Sequence, residues 1–107
     1  MNGLSLTEAL DAVARSGEDF QRLFVRSDFD VGLYRPEKID SQTPHQRDEV
    51  YIVASGSGTF VCGGKTAPFG AGDFFFVPKG AEHHFENFSD DFATWVIFFG
   101  AAPKAGD

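Results

Sequence analysis

Gly72-Asp73-Phe74-Phe75-Phe76-Val77-Pro78-Lys79-Gly80-Ala81-Glu82-His83-His84-Phe85-Glu86-Asn87 is the stretch on which the fold turns. An apolar run, Asp73 to Val77, is cut off by Pro78-Lys79-Gly80, a combination that sets a tight turn and cannot continue a ladder. The chain then restarts as a short strand, His83 to Asn87. Successive side chains on a strand point to opposite faces, so His83 and His84 face opposite ways.

Outward from this stretch the chain keeps the same character. Segments rich in Val, Ile, Phe, Tyr or Thr recur at Phe20 to Arg26, Asp30 to Tyr34, Glu49 to Ala54, Thr59 to Cys62 and Phe92 to Phe99, with turn residues between them. Gly56-Ser57-Gly58 reads as the close of one hairpin and Gly63-Gly64 as the close of a second, with a tight corner at Phe69-Gly70-Ala71-Gly72-Asp73. Before all of this, Ser5 and Glu8 have capping-box spacing. Leu6, Leu10, Val13 and Ala14 follow at helical intervals, and Gly17 supplies a stop. The expectation is one short helix over about 5–17, strands over about 20–100, and a small, polar, frayed tail over 101–107.

Both sides of that central stretch resemble the cupin superfamily. Gly72, Pro78, Gly80, His83 and Asn87 fit its second motif without a gap, and His45, Glu49 and Gly56 fit the first, in which a His-x-His pair precedes Glu and Gly. The resemblance covers roughly residues 30 to 100. It implies an all-β fold, a single-domain cupin jelly-roll β-barrel with a short N-terminal helix. It also implies a divalent transition metal (Fe, Mn, Ni or Zn) held by His45, Glu49 and His83. One position departs from the pattern, since the family's first His falls on Thr43. A neutral hydroxyl there is at most a hydrogen-bonding partner for a metal-bound water or a substrate oxygen. Strand alternation across Pro44 sets Thr43 on the face of His45, and alternation after Glu49 sets Tyr51 and Val53 on its side, so Thr43 and Tyr51 are pocket candidates. Arg47 reads as a charge at the corner, its direction undetermined.

Composition limits the functions available. A chain of 107 residues makes one domain that buries about two thirds of its unfolded surface. Sixteen acids against nine bases give a net charge of −7 without a block of one sign, which disfavours nucleic acid and anionic membranes as partners. The N-terminus lacks a secretory pattern, and the lone Cys62 suits a reducing compartment, so a cytoplasmic protein is expected. Thirteen Phe are a high load for this length, and most are expected in the core. Asp73 to Val77 and Ala93 to Phe99 are apolar at consecutive positions and read as covered on both faces, either by the helix and Phe20 to Arg26 or by a second copy in a homodimer. The function implied is a metal-dependent cupin acting on a small organic molecule by oxygenase- or isomerase-type chemistry. The alternative is a non-catalytic small-ligand binding or sensing module.

Overall fold

The computed structural model describes residues 3–40 and 42–100; the tail expected to fray lies outside them. Helix α1 spans Leu6–Ser16. Ser5 caps it, its Oγ accepting from the Glu8 N–H at 3.0 Å while Glu8 Oε1 accepts from the Ser5 N–H at 3.3 Å. Gly17, at φ +74°, ends it in the left-handed conformation. Ala9 and Val13 form its buried stripe against Leu33 and Ala93, with Leu6, Leu10, Leu23 and Trp95 around them. Ala14, expected in that stripe, is exposed, and Ala9 one turn earlier takes its place.

Eight strands follow: β1 Phe20–Val25, β2 Phe29–Tyr34, β3 Glu49–Ser55, β4 Ser57–Cys62, β5 Lys65–Gly70, β6 Phe74–Val77, β7 His83–Glu86 and β8 Ala93–Phe99. They form two antiparallel sheets, ordered β1-β2-β8-β3-β6 and β5-β4-β7. Strand β8 returns from the end of the chain to lie between β2 and β3, which closes the jelly roll. The facing sides of the sheets are filled by Tyr51, Val53, Phe60, Phe69, Phe85 and Phe92. Phe85 is central, its ring centroid 4.8 Å from Tyr51, 4.9 Å from Phe60 and 4.8 Å from Phe92. Truncating so enclosed a ring to Ala costs about 3–5 kcal/mol.

Three expectations are corrected. Strand β5 was not among the expected strands; it carries Pro68 and lies at the edge of the three-stranded sheet, where a proline deprives no neighbour of a hydrogen bond. Gly63-Gly64 does close the β4–β5 hairpin, with Cys62 opposite Lys65 and both glycines at positive φ. Gly56-Ser57-Gly58, by contrast, closes no hairpin, since β3 and β4 belong to different sheets and the chain crosses between them there.

The third correction concerns the outer face of the larger sheet. Helix α1 packs on β1 and β2, over Leu33, Ala93 and Trp95. Phe75 turns inward against Phe60, at 4.5 Å between centroids, while Phe74 and Phe76 point out and are 61% and 52% exposed. Among the described residues, β6 is covered on one face only.

Candidate metal centre

Glu49 opens β3 in the middle of the larger sheet, opposite Val77 of β6 and Phe98 of β8, and its side chain is 1% exposed. His83 opens β7 in the other sheet, paired with Cys62. His45 lies in the irregular segment before β3. The turn at Pro78-Lys79-Gly80 is fastened to that segment: the Gly80 N–H donates to the His45 carbonyl at 2.7 Å and the Lys79 N–H to Asp48 Oδ1 at 2.9 Å. Two parts of the chain remote in sequence are thereby clamped together, and both imidazoles meet Glu49.

His83 Nε2 is 2.8 Å and His45 Nε2 3.6 Å from Glu49 Oε1. One ligand atom from each of the three residues lies within 4.8 Å of the others. The His83 Nε2 and both Glu49 oxygens are buried and make no directed hydrogen bond, so the 2.8 Å contact is close but out of line. On its far side His83 Nδ1 is 2.9 Å from the Ala81 carbonyl. A carbonyl only accepts, so Nδ1 carries a proton and, in the neutral ring, Nε2 presents its lone pair to Glu49 and His45. Desolvation depresses the His83 pKa, but the Glu49 contact, the Ala81 carbonyl and the charges of Glu49 and Asp40 outweigh it and hold the group above its ordinary 6.5.

His84 turns away, its Nε2 3.1 Å from Glu86 Oε2 at a half-exposed position. Thr43 lies on the cavity rim and is exposed. The parity argument that set it beside His45 does not apply, because the segment from Gln42 to Asp48 is not a strand. Tyr51 is buried with its hydroxyl donating to Gln42 Oε1 at 2.8 Å. Burial first, and then the Glu49 charge, raise its pKa well above 10, so the hydroxyl stays protonated. Cys62 is raised likewise by burial and by Glu49, which disfavours the reactive thiolate. Arg47 is corrected from a corner charge to a buried one: Nη1 donates to Asp30 Oδ2 at 2.9 Å and the guanidinium sits 4.6 Å over the Phe98 ring.

His45 and Glu49 line a cavity of about 310 Å³ whose other walls include Phe20, Tyr34, Val96 and Phe98. Arg22 stands in the same wall, its Nε bonded to Asp30 Oδ2 at 3.1 Å. Two contributors to this region were missed from sequence. Gln42 and Asp40 carry no motif, and only the fold brings Asp40 to the Phe85 N–H, 2.8 Å away.

The family model described as "Cupin domain" matches residues 32–99, a span that holds both sheets' central strands and all three converging side chains. The chain belongs to the cupin family. This cupin is 37% identical over 90 residues to the uncharacterized protein SCO3923 of Streptomyces coelicolor, an alignment covering 82% of the chain and 85% of the relative. Among solved structures it is similar to a Cupin 2 conserved barrel domain protein from Salinispora arenicola, at 27% identity and a TM-score of 0.64 over 77% of this chain and 75% of that one. It is also similar in fold to a predicted oxalate decarboxylase from Thermotoga maritima, at 22% identity and a TM-score of 0.59 over 75% and 77% of the two chains. No helix among the described residues of the cupin is long and apolar enough to cross a membrane.

Proposed function

We propose that this cupin holds a divalent first-row metal, of the set Fe, Mn, Ni and Zn, through His45 Nε2, His83 Nε2 and the Glu49 carboxylate, and acts on a small organic molecule admitted to the adjoining cavity. The observation that carries the reading is the convergence of three donor atoms within 4.8 Å, two of the three side chains fully buried, with His45 and Glu49 on the wall of a cavity of about 310 Å³. Two imidazoles and one carboxylate are a donor set suited to such ions, with positions left for other ligands. A bound ion would supply Lewis-acid or redox chemistry. The protein's own part is to fix His83 through Ala81, to keep bulk water from Glu49, and to enclose an apolar molecule between Phe20, Tyr34 and Phe98.

Purified protein expressed in metal-replete medium is expected to carry close to one equivalent of metal. Glu49→Gln is expected to lower its affinity by at least about 100-fold, since losing a ligand exceeds the loss from disturbing a ligand's support. Wild-type protein that arrives without metal, and gains none on titration, would overturn the reading.

A second reading, a non-catalytic binding or sensing module, draws support from the tyrosines. Tyr51 and Tyr34 line the cavity, and burial, with Asp40 adding to it at Tyr34, raises both above their ordinary range. Neither hydroxyl is then available as a base at neutral pH. His83→Ala separates the readings: an enzyme loses metal and turnover together, whereas a metal-free binder keeps its ligand. On either reading we place the protein in the cytoplasm, where a lone thiol such as Cys62 stays reduced. We also propose that the exposed Phe74 and Phe76 are covered by a second copy in a homodimer.

A further inference from the structure

The side chain of Gln42 is held at both ends. Its Nε2 donates to Asp40 Oδ2 at 2.7 Å and its backbone N–H lies 3.2 Å from Asp40 Oδ1. Asp40 is itself fixed, accepting from the Tyr34 hydroxyl at 2.6 Å and from the Phe85 N–H at 2.8 Å. A carboxylate accepts, so the Gln42 atom facing Asp40 is the amide nitrogen and the amide oxygen faces the other way. That oxygen receives the Tyr51 hydroxyl at 2.8 Å and lies 3.5 Å from His45 Nε2.

The second distance is the informative one. It is at the outer limit for a hydrogen bond, but it matches the 3.6 Å between His45 Nε2 and Glu49 Oε1. Donors bound to one ion at about 2.0–2.2 Å, at octahedral or tetrahedral angles, stand about 3.0–3.5 Å apart. A carbonyl oxygen has two lone pairs; Tyr51 takes one, and the other remains for the centre.

We propose that Gln42 supplies the fourth donor of the metal centre, a neutral amide oxygen where the family pattern has an imidazole. The inference rests on the metal reading above. The hydroxyl of Thr43, exposed on the rim, has no such placement. The centre becomes two nitrogens and two oxygens, and the exchange of imidazole for amide has a direction: carbonyl and carboxylate oxygens suit Mn(II), whereas imidazole suits Zn(II), Ni(II) and Cu(II). This centre therefore favours Mn(II) over Zn(II) more than a three-imidazole site would.

The test is titration of metal-free protein with Mn(II) and Zn(II), with the d–d absorption of added Co(II), which responds to donor number, as a second readout. Q42L is expected to weaken Mn(II) binding by about tenfold or more and to change the Co(II) band. Q42H is expected to shift the preference toward Zn(II). Equal Mn(II) affinity and an unchanged Co(II) band in Q42L would overturn the assignment of Gln42 alone. Should Q42L not fold, Q42N, one methylene shorter, carries the same comparison. Wild-type protein that takes up none of the three ions overturns the metal reading and the Gln42 assignment with it.

Discussion

Glu49 Oε1 and His83 Nε2 lie 2.8 Å apart with both side chains closed to solvent. His83 therefore binds its proton more tightly in the folded metal-free protein than in the unfolded chain, despite the opposing effect of burial. A group raised in this way stabilises the fold fully below its unfolded value of about 6.5, and that contribution is lost as pH rises through the folded value. The melting temperature of metal-stripped protein is expected to fall across this window, by less in His83→Gln. Metal must displace the same proton, so affinity is expected to rise with pH over the same interval. Thermal melts and metal titrations at matched pH values check both, and a profile identical in wild type and His83→Gln contradicts them.

Asp30 is buried between Arg47, itself buried, and Arg22, which is partly exposed. Removing the buried partner leaves a carboxylate in low dielectric, a loss of about 3–5 kcal/mol in comparable pairs. Arg47→Met is expected to destabilise by an amount in that range, whereas Arg22→Ala, which removes a partly exposed guanidinium and leaves Asp30 paired with Arg47, is expected to cost less. Replacing both members, as in Asp30→Asn with Arg47→Met, should recover much of the loss. Urea denaturation of the four proteins measures the difference.

Gly56 and Gly64 share a positive φ, +85° and +79°, but not their surroundings. A Cβ at Gly56 would lie 2.6 Å from the Phe92 Cα, at the crossing from one sheet to the other, while one at Gly64 meets nothing within 4 Å. Gly64→Ala is expected to cost only the backbone strain, about 1–2 kcal/mol. Gly56→Ala adds a clash with main chain that cannot move aside, so a larger loss, or no soluble protein, is expected. Melting temperatures of the two variants compare them directly.

Phe74 and Phe76 stand on the outer side of an edge strand. If they face a second copy, Phe74→Glu with Phe76→Glu should convert a dimer to a monomer without altering the cavity, because Phe75 and Glu49 point the opposite way. Light scattering coupled to size-exclusion chromatography reads the mass. A wild-type monomer at micromolar concentration rejects the homodimer.

Much of the fold is legible in local chemistry. Ser5, Glu8 and Gly17 bound the helix because caps act within one turn, and Glu49, Tyr51 and Val53 share the buried face of β3 because alternation holds along a regular strand. Parity failed where the chain is irregular. Thr43 and Gln42 cannot be sorted by alternation in a segment without a ladder, and Arg47 reads as a corner charge of undetermined direction until Asp30 and Phe98 are seen around it. Strand β5 holds Pro68, and whether a strand tolerates a proline depends on whether a neighbour needs its N–H, which is a property of the sheet.

Residue spacing by itself carried the resemblance to the cupins, which implies His45, Glu49 and His83 as ligands, because turn and strand chemistry acts over a few neighbours and leaves a readable imprint. Only the tertiary structure decided which groups meet. The bonds from Gly80 to His45 and from Lys79 to Asp48 join segments remote along the chain, and the Asp40–Gln42–Tyr51 chain aims an amide oxygen toward His45. Such contacts depend on the packing of two sheets at once, and no local pattern encodes them.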